Sequence, residues 1–156
     1  MNSSNTTVGG YVASAMYTTT LPSVLETYIT PVFGSHVIEI RNLLTTGINA
    51  SGYNRWGNGS GCSNAWEWRS RKVDLMNENQ VFGSISWSSS GFETGTDNCQ
   101  LPLFRLAPEY ITNRSYWYWL RNVVDSSRFA LVTNLGISTS TDASATGGVR
   151  PCFYID

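Results

Sequence analysis

The chain has 156 residues, 41% hydrophobic and 13% aromatic, which suits one domain with a buried core and excludes a disordered chain. Charged residues make up only 13% and the net charge is −1. The basic residues are Lys72 and scattered arginines, so no phosphate-tracking nucleic-acid surface is expected.

Met1 to Thr7 has neither the basic nor the apolar region of a signal peptide, and no apolar run approaches the ~20 residues that cross a bilayer. Membrane insertion is not expected. Export by another route, assembly inside a cell, or a place within a longer protein each remain open. Residues 1–19 read as an extended lead-in with a strand near 11–17. Thr20 then reads as the cap of a helix with Pro22 in its first turn and Gly34 as its stop. Val24, Leu25, Tyr28, Ile29, Val32 and Phe33 recur at helical spacing, and Pro31 must kink or shorten the last turn.

His36 to Ile40 alternates like a strand or opens a second short helix through Leu44. Residues 45–65 are rich in Gly, Asn and Ser and read as a long loop carrying Tyr53 and Trp56. Ala65 to Asp74 alternates as a half-exposed strand does. Asn77, Glu78 and Gly83 mark a two-turn helix. Ile85 and Trp87 suggest a strand, residues 88–98 a second long loop, and Gln100 to Leu106 an edge or irregular strand limited by Pro102.

The last forty residues hold three apolar runs: Tyr116–Arg121, Phe129–Val132 and Gly147–Ile155. Each has strand composition, and Ser, Thr, Asn, Asp and Gly separate them. Trp117 and Trp119 fall two apart, as do Tyr116 and Tyr118, so one pair faces in and the other out. In the last run Val149, Pro151, Phe153 and Ile155 would share one face, and Arg150, Cys152 and Tyr154 the other. Asn134-Leu135-Gly136 is a turn signal, and Ser138 to Gly148 reads as loop. Tyr116, Tyr118 and Arg128 beside small polar residues have the composition of a paratope: rigid aromatic anchors with adaptable hydrogen-bonding groups.

Catalysis lacks a visible constellation. His36 is the sole histidine and reads as a structural hydrogen-bonder. Glu67, Asp74, Glu78, Glu93, Asp97 and Glu109 carry no motif, and Gly57 to Gly61 lacks the lysine of a phosphate loop. Cys62, Cys99 and Cys152 show no CxxC spacing, so free thiols are expected rather than zinc, with a Cys62–Cys99 pair open in an oxidising compartment. The chain therefore reads as a binding module rather than an enzyme, with no cofactor and no metal expected.

Trp119-Leu120-Arg121, Phe129-Ala130-Leu131-Val132 and Gly148-Val149-Arg150-Pro151-Cys152-Phe153-Tyr154-Ile155 together resemble the terminal segment of C-type-lectin-like domains in bacterial and prophage proteins. The variable proteins of diversity-generating retroelements are in or near that family. The segments Val73–Gly83 and Asp97–Phe104, and the Gly-Gly-Tyr at residues 9–11, extend the resemblance over most of the chain. It implies an α+β, C-type-lectin-like fold: two helices around a small twisted antiparallel sheet with long packed loops, as a single domain over 1–156. It also implies a frame of Trp119, Leu120, Arg121, Phe129, Ala130, Val132, Gly136, Gly148, Val149, Arg150, Pro151, Phe153 and Ile155. The displayed ligand-binding set would be Tyr116, Tyr118, Asn122, Val124, Ser126, Ser127, Arg128, Thr133, Asn134, Leu135, Ser138, Thr139, Ser140, Thr141 and Asp142.

The implied partner is a protein or glycan ligand on a cell surface, with the chain on a virion or bacterial surface, as a homo-oligomer or attached to a larger virion protein. The alternatives are a structural phage head or tail decoration protein and an enzyme of the formylglycine-generating type. In the latter family a similar Gly-x-Arg-Cys stretch occurs; here Pro151 separates Arg150 from Cys152.

Overall fold

A computed structural model describes residues 1–49, 63–87, 100–112 and 115–156. Tyr53, Trp56, Cys62, Cys99 and the expected loop at 88–98 lie outside the described residues. Within them the chain is α+β, with a few helices and small antiparallel sheets. In place of the one small sheet expected, the described residues form four.

Residues 16–33 form a continuous helical stretch in which π-turns at Met16–Thr20 and Leu25–Ile29 alternate with α-turns at Leu21–Val24 and Thr30–Phe33. Two prolines account for the alternation. Pro22 and Pro31 have no N–H to donate, and their rings crowd the carbonyl four residues back. Widening the preceding turn relieves this: Leu21 N–H bonds to Met16 O, and Thr30 N–H to Leu25 O.

The helix thus starts at Met16, not after Thr20, whose side chain makes no cap bond. Tyr11–Ala13 is a short 3-10 turn rather than part of a strand. Each wide turn also shifts the side-chain phase. Leu21 and Ile29 are buried and Val24, Leu25 and Phe33 pack against the core, but Tyr28 and Val32 face solvent. Gly34 ends the helix with φ 56°.

Strands β1 (Val37–Ile38) and β2 (Ile40–Ile48) come next, so the strand reading of His36–Ile40 holds from Val37 and the helix reading does not. His36 Nδ1 lies 3.1 Å from Asp156 Oδ1 in an exposed contact. β2 pairs with β3 (Ser63–Arg71) from Ile40↔Arg71 to Ile48↔Ser63. Residues 45–48 and 63–65 are therefore strand and not loop. Gly47 sits at the register shift, where a Cβ would stand 3.0 Å from Asn64 Oδ1.

After β4 (Asp74–Leu75), the helix Glu78–Phe82 opens with a full capping box. Asn77 Oδ1 accepts from Gln80 N at 2.7 Å, and Gln80 Oε1 accepts from Asn77 N at 2.9 Å. Gly83 closes it with φ 75°. Ile85 and Trp87 are not in a strand, since the amides of Ser86 and Trp87 bond to the buried Glu78 carboxylate instead. Gln100–Leu106 is not a strand either: Pro102–Leu106 is helical with Pro102 in its first turn, where a missing N–H costs nothing.

The centre of the molecule is β5 (Tyr118–Val123), joined by β6 (Arg128–Val132) and β7 (Ser138–Asp142) in a three-stranded sheet ordered β5-β6-β7. Every residue of β5 is buried. Alternation sends Trp119 and Val123 into one apolar cluster with Phe129, Leu131, Leu21 and Tyr11. It sends Tyr118 and Leu120 into a second cluster with Val81, Phe104, Ala130 and Val132.

The run expected as one terminal strand instead pairs at three places. Gly148 bridges to Tyr118, β8 (Pro151–Cys152) pairs with β4, and β9 (Tyr154–Ile155) pairs with β1. The expected division of its two faces fails accordingly: Phe153 packs on Phe33 while Val149 and Ile155 are exposed. A buried polar knot ties these pieces together. Asp74 accepts from Tyr11 Oη at 2.6 Å and Asn42 Nδ2 at 3.1 Å, with Arg121 Nη1 3.8 Å away. Burial first, then the Asp74 carboxylate, pushes the Tyr11 hydroxyl well above its ordinary pKa.

Candidate ligand groove

β6 and β7 pair over five consecutive residues, from Arg128↔Asp142 to Val132↔Ser138, with no bulge. Thr139 and Thr141 stand opposite Leu131 and Phe129, on the face of the Trp119 cluster. Ser138, Ser140 and Asp142 stand on the other face. Beyond the end of β6 the chain turns through Thr133–Ile137. Thr133 N donates to Ile137 O at 2.9 Å, Gly136 N to Thr133 O at 3.0 Å, and Thr133 Oγ1 accepts from Ile137 N at 3.1 Å. Gly136 makes this turn at φ 78°, where a Cβ would stand 3.1 Å from Thr112 Oγ1.

Between this turn, β7 and the half-buried Trp117 lies an open groove of about 300 Å³, lined by Trp117, Leu131, Thr133, Asn134, Thr139, Ser140 and Thr141. Five of these seven belong to the expected ligand-binding set. Trp117 and Leu131 do not. Trp117 has the parity of buried Trp119, placing it one step beyond the core on the same face; that parity was the available signal. Trp117 stacks on Tyr116 (centroids 5.6 Å, planes 19° apart) and meets Trp119 edge to face at 4.8 Å.

The remaining expected residues separate into three groups. Tyr118, Asn122 and Val124 are buried and cannot be displayed. Tyr118 Oη donates to Ile111 O at 2.9 Å under the Arg150 guanidinium, and Asn122 Oδ1 accepts from Glu78 N at 2.8 Å. The cause is that β5 is covered on both faces, so neither parity points to solvent. Ser126, Ser127 and Arg128 form the β5–β6 turn at the opposite end of β6, and Asp142 stands beside Arg128 there. In that turn Asp125 holds Arg128 Nε at 2.6 Å and Ser127 N at 2.9 Å. Burial alone would raise the Asp125 pKa, but these bonds outweigh it and hold the carboxyl below its ordinary value.

Tyr116, Leu135 and Ser138 are chain neighbours of groove residues but do not line the groove. Tyr116 and Leu135 are exposed, and Ser138 Oγ donates to Glu78 Oε1 at 2.9 Å. Ser138 to Asp142, expected as loop, is a strand, so its side chains are held at fixed spacing.

None of the groove residues ionises near neutral pH. They offer hydroxyls, one carboxamide, and the apolar surface of Trp117 and Leu131, which suits an uncharged ligand group. Cys152 is half-buried and unbridged, and burial raises its thiol pKa, which keeps it protonated at neutral pH. Among the described residues no group of three or more His, Cys, Asp or Glu is placed to hold a metal ion, and no helix is long and apolar enough to cross a membrane. No family model, curated protein or solved structure matches the chain.

Proposed function

We propose that this chain is a non-catalytic ligand-binding display module of C-type-lectin-like fold, borne by a phage or prophage and varied in its C-terminal segment. Its ligand is a protein or glycan of a cell surface, met at the groove between Trp117, the Thr133–Ile137 turn and β7. The observation that carries the reading is the coincidence of two sets: Thr133, Asn134, Thr139, Ser140 and Thr141 line the groove and also belong to the segment expected to vary. Behind them stands a buried frame of Trp119 and Phe129, so these five residues change without emptying the core.

A double variant, Thr139→Arg/Thr141→Arg, fills the groove from two half-exposed positions. Screened against bacterial cell surfaces and a glycan array, the intact chain should bind and the double variant should not, at a nearly unchanged melting temperature. Binding that survives the double variant removes the groove from the function. For the diversification, a reverse-transcriptase gene close by, with a template repeat matching codons 116–155 except at template adenines, is the expected companion. A locus without one sinks that part of the reading.

A further inference from the structure

Resting on the groove reading above, we propose that β7 is a docking edge for an extended peptide segment of a partner protein. The segment adds as a fourth strand and seats an uncharged side chain in the groove.

Three observations carry this. First, β7 is the last strand of its sheet, and among the described residues nothing pairs with its outer edge. That edge lacks the usual guards: β6 and β7 stay in register without a bulge, and β7 holds no Lys, Arg or Pro, only Asp142 at its end. Second, β7 is fixed at both ends. Ser138 is bonded to Glu78, and Ala143, fully buried, donates to Ser127 O at 2.7 Å and Asn5 Oδ1 at 3.0 Å. An arriving strand therefore meets a preorganised row of main-chain groups and orders little. Third, the groove opens on the Thr139 and Thr141 face beside that edge, where every second side chain of an added strand would face it.

A row of amides and carbonyls repeating at strand spacing is matched along its length by another peptide backbone, whose donors and acceptors share that repeat, whereas a sugar's hydroxyls do not. A second copy of β7 would bring only Ser, Thr and Asp, with nothing apolar to cover Leu131 and Trp117. The occupant is thus a foreign strand with a neutral, apolar residue at the groove position.

Selection from a random linear peptide library against the intact chain, with amide hydrogen exchange then measured on the best synthetic peptide's complex, tests this. The expected binders carry apolar residues at alternate positions and slow exchange at alternate amides of Ser138–Asp142. Backbone N-methylation should weaken them about tenfold in one register and little in the other. Thr139→Arg/Thr141→Arg should abolish their binding. The proposal is overturned by a library without binders, by peptides that slow exchange elsewhere, by equal losses in both N-methylated registers, or by β7 protection that rises with protein concentration alone. If glycans bind and lose binding in the double variant while peptides do not bind, the strand proposal fails and the groove reading stands. If every ligand found ignores the double variant, both fail.

Discussion

At Gly147 the absence of a side chain is a packing requirement. A Cβ there would stand 2.2 Å from Trp117 Cζ3 and 2.8 Å from Trp119 Nε1. Trp119 is enclosed and cannot retreat, so the half-buried Trp117, which lines the groove, is the ring that must move. Gly147→Ala should therefore destabilise the chain by about 1–3 kcal/mol in denaturant unfolding and weaken groove binding together with it. Asp125 gives a second test at a single residue. Its folded pKa lies below the 3.8 of an unstructured Asp, so its contribution to stability is present above that value. That contribution falls away as pH drops through the folded pKa. Asp125→Asn should lower the melting temperature at neutral pH and flatten its decline below about pH 4. At this scale the sequence misleads where a residue type serves core and surface equally. Tyr118 and Asn122 have the polar handles of contact residues, yet each uses its handle inside the fold, on Ile111 O and Glu78 N.

Elements with local chemistry are the legible ones. The helix Glu78–Phe82 is written in Asn77, Gln80 and Gly83, whose capping and left-handed roles depend only on near neighbours. Asn77→Ala should cost about 1–2 kcal/mol, measured by urea unfolding, because it orphans the Gln80 amide in a buried setting. Residues 16–33 are legible as helix but not in phase, because each proline-driven wide turn rotates the residues beyond it and exposes Tyr28 and Val32. β5 shows the opposite failure. Its period of two is plain in Tyr116-Trp117-Tyr118-Trp119, but period alone does not say how many faces are covered. The second cover comes from Val81 and Phe104, far away in sequence. β7 is illegible because Ser-Thr-Ser-Thr-Asp has loop composition, and its strand state is imposed by β6.

Across the whole molecule, the two turns of the expected binding set lie at opposite ends of one strand. Ser126, Ser127 and Arg128 close the β5–β6 turn, and Thr133, Asn134 and Leu135 close the other. The four residues of β6 between Arg128 and Thr133 set the two turns about 17 Å apart, too far for one small ligand group to touch both. The charges show the same division. Arg128 and Asp125 satisfy each other at one end, while the residues lining the groove carry none. Ligand binding at the groove should therefore respond weakly to ionic strength, with Kd changing by less than about twofold between roughly 0.05 and 0.5 M salt. Replacing Ser126 and Ser127 with alanine should leave that Kd unchanged, whereas Thr139→Arg/Thr141→Arg should remove binding. Titration calorimetry over a salt series, on the parent and both variants, separates the ends. A steep salt dependence, or a loss of binding in the Ser126/Ser127 variant, would place the contact at the Arg128 end, where a charged ligand would find its partner.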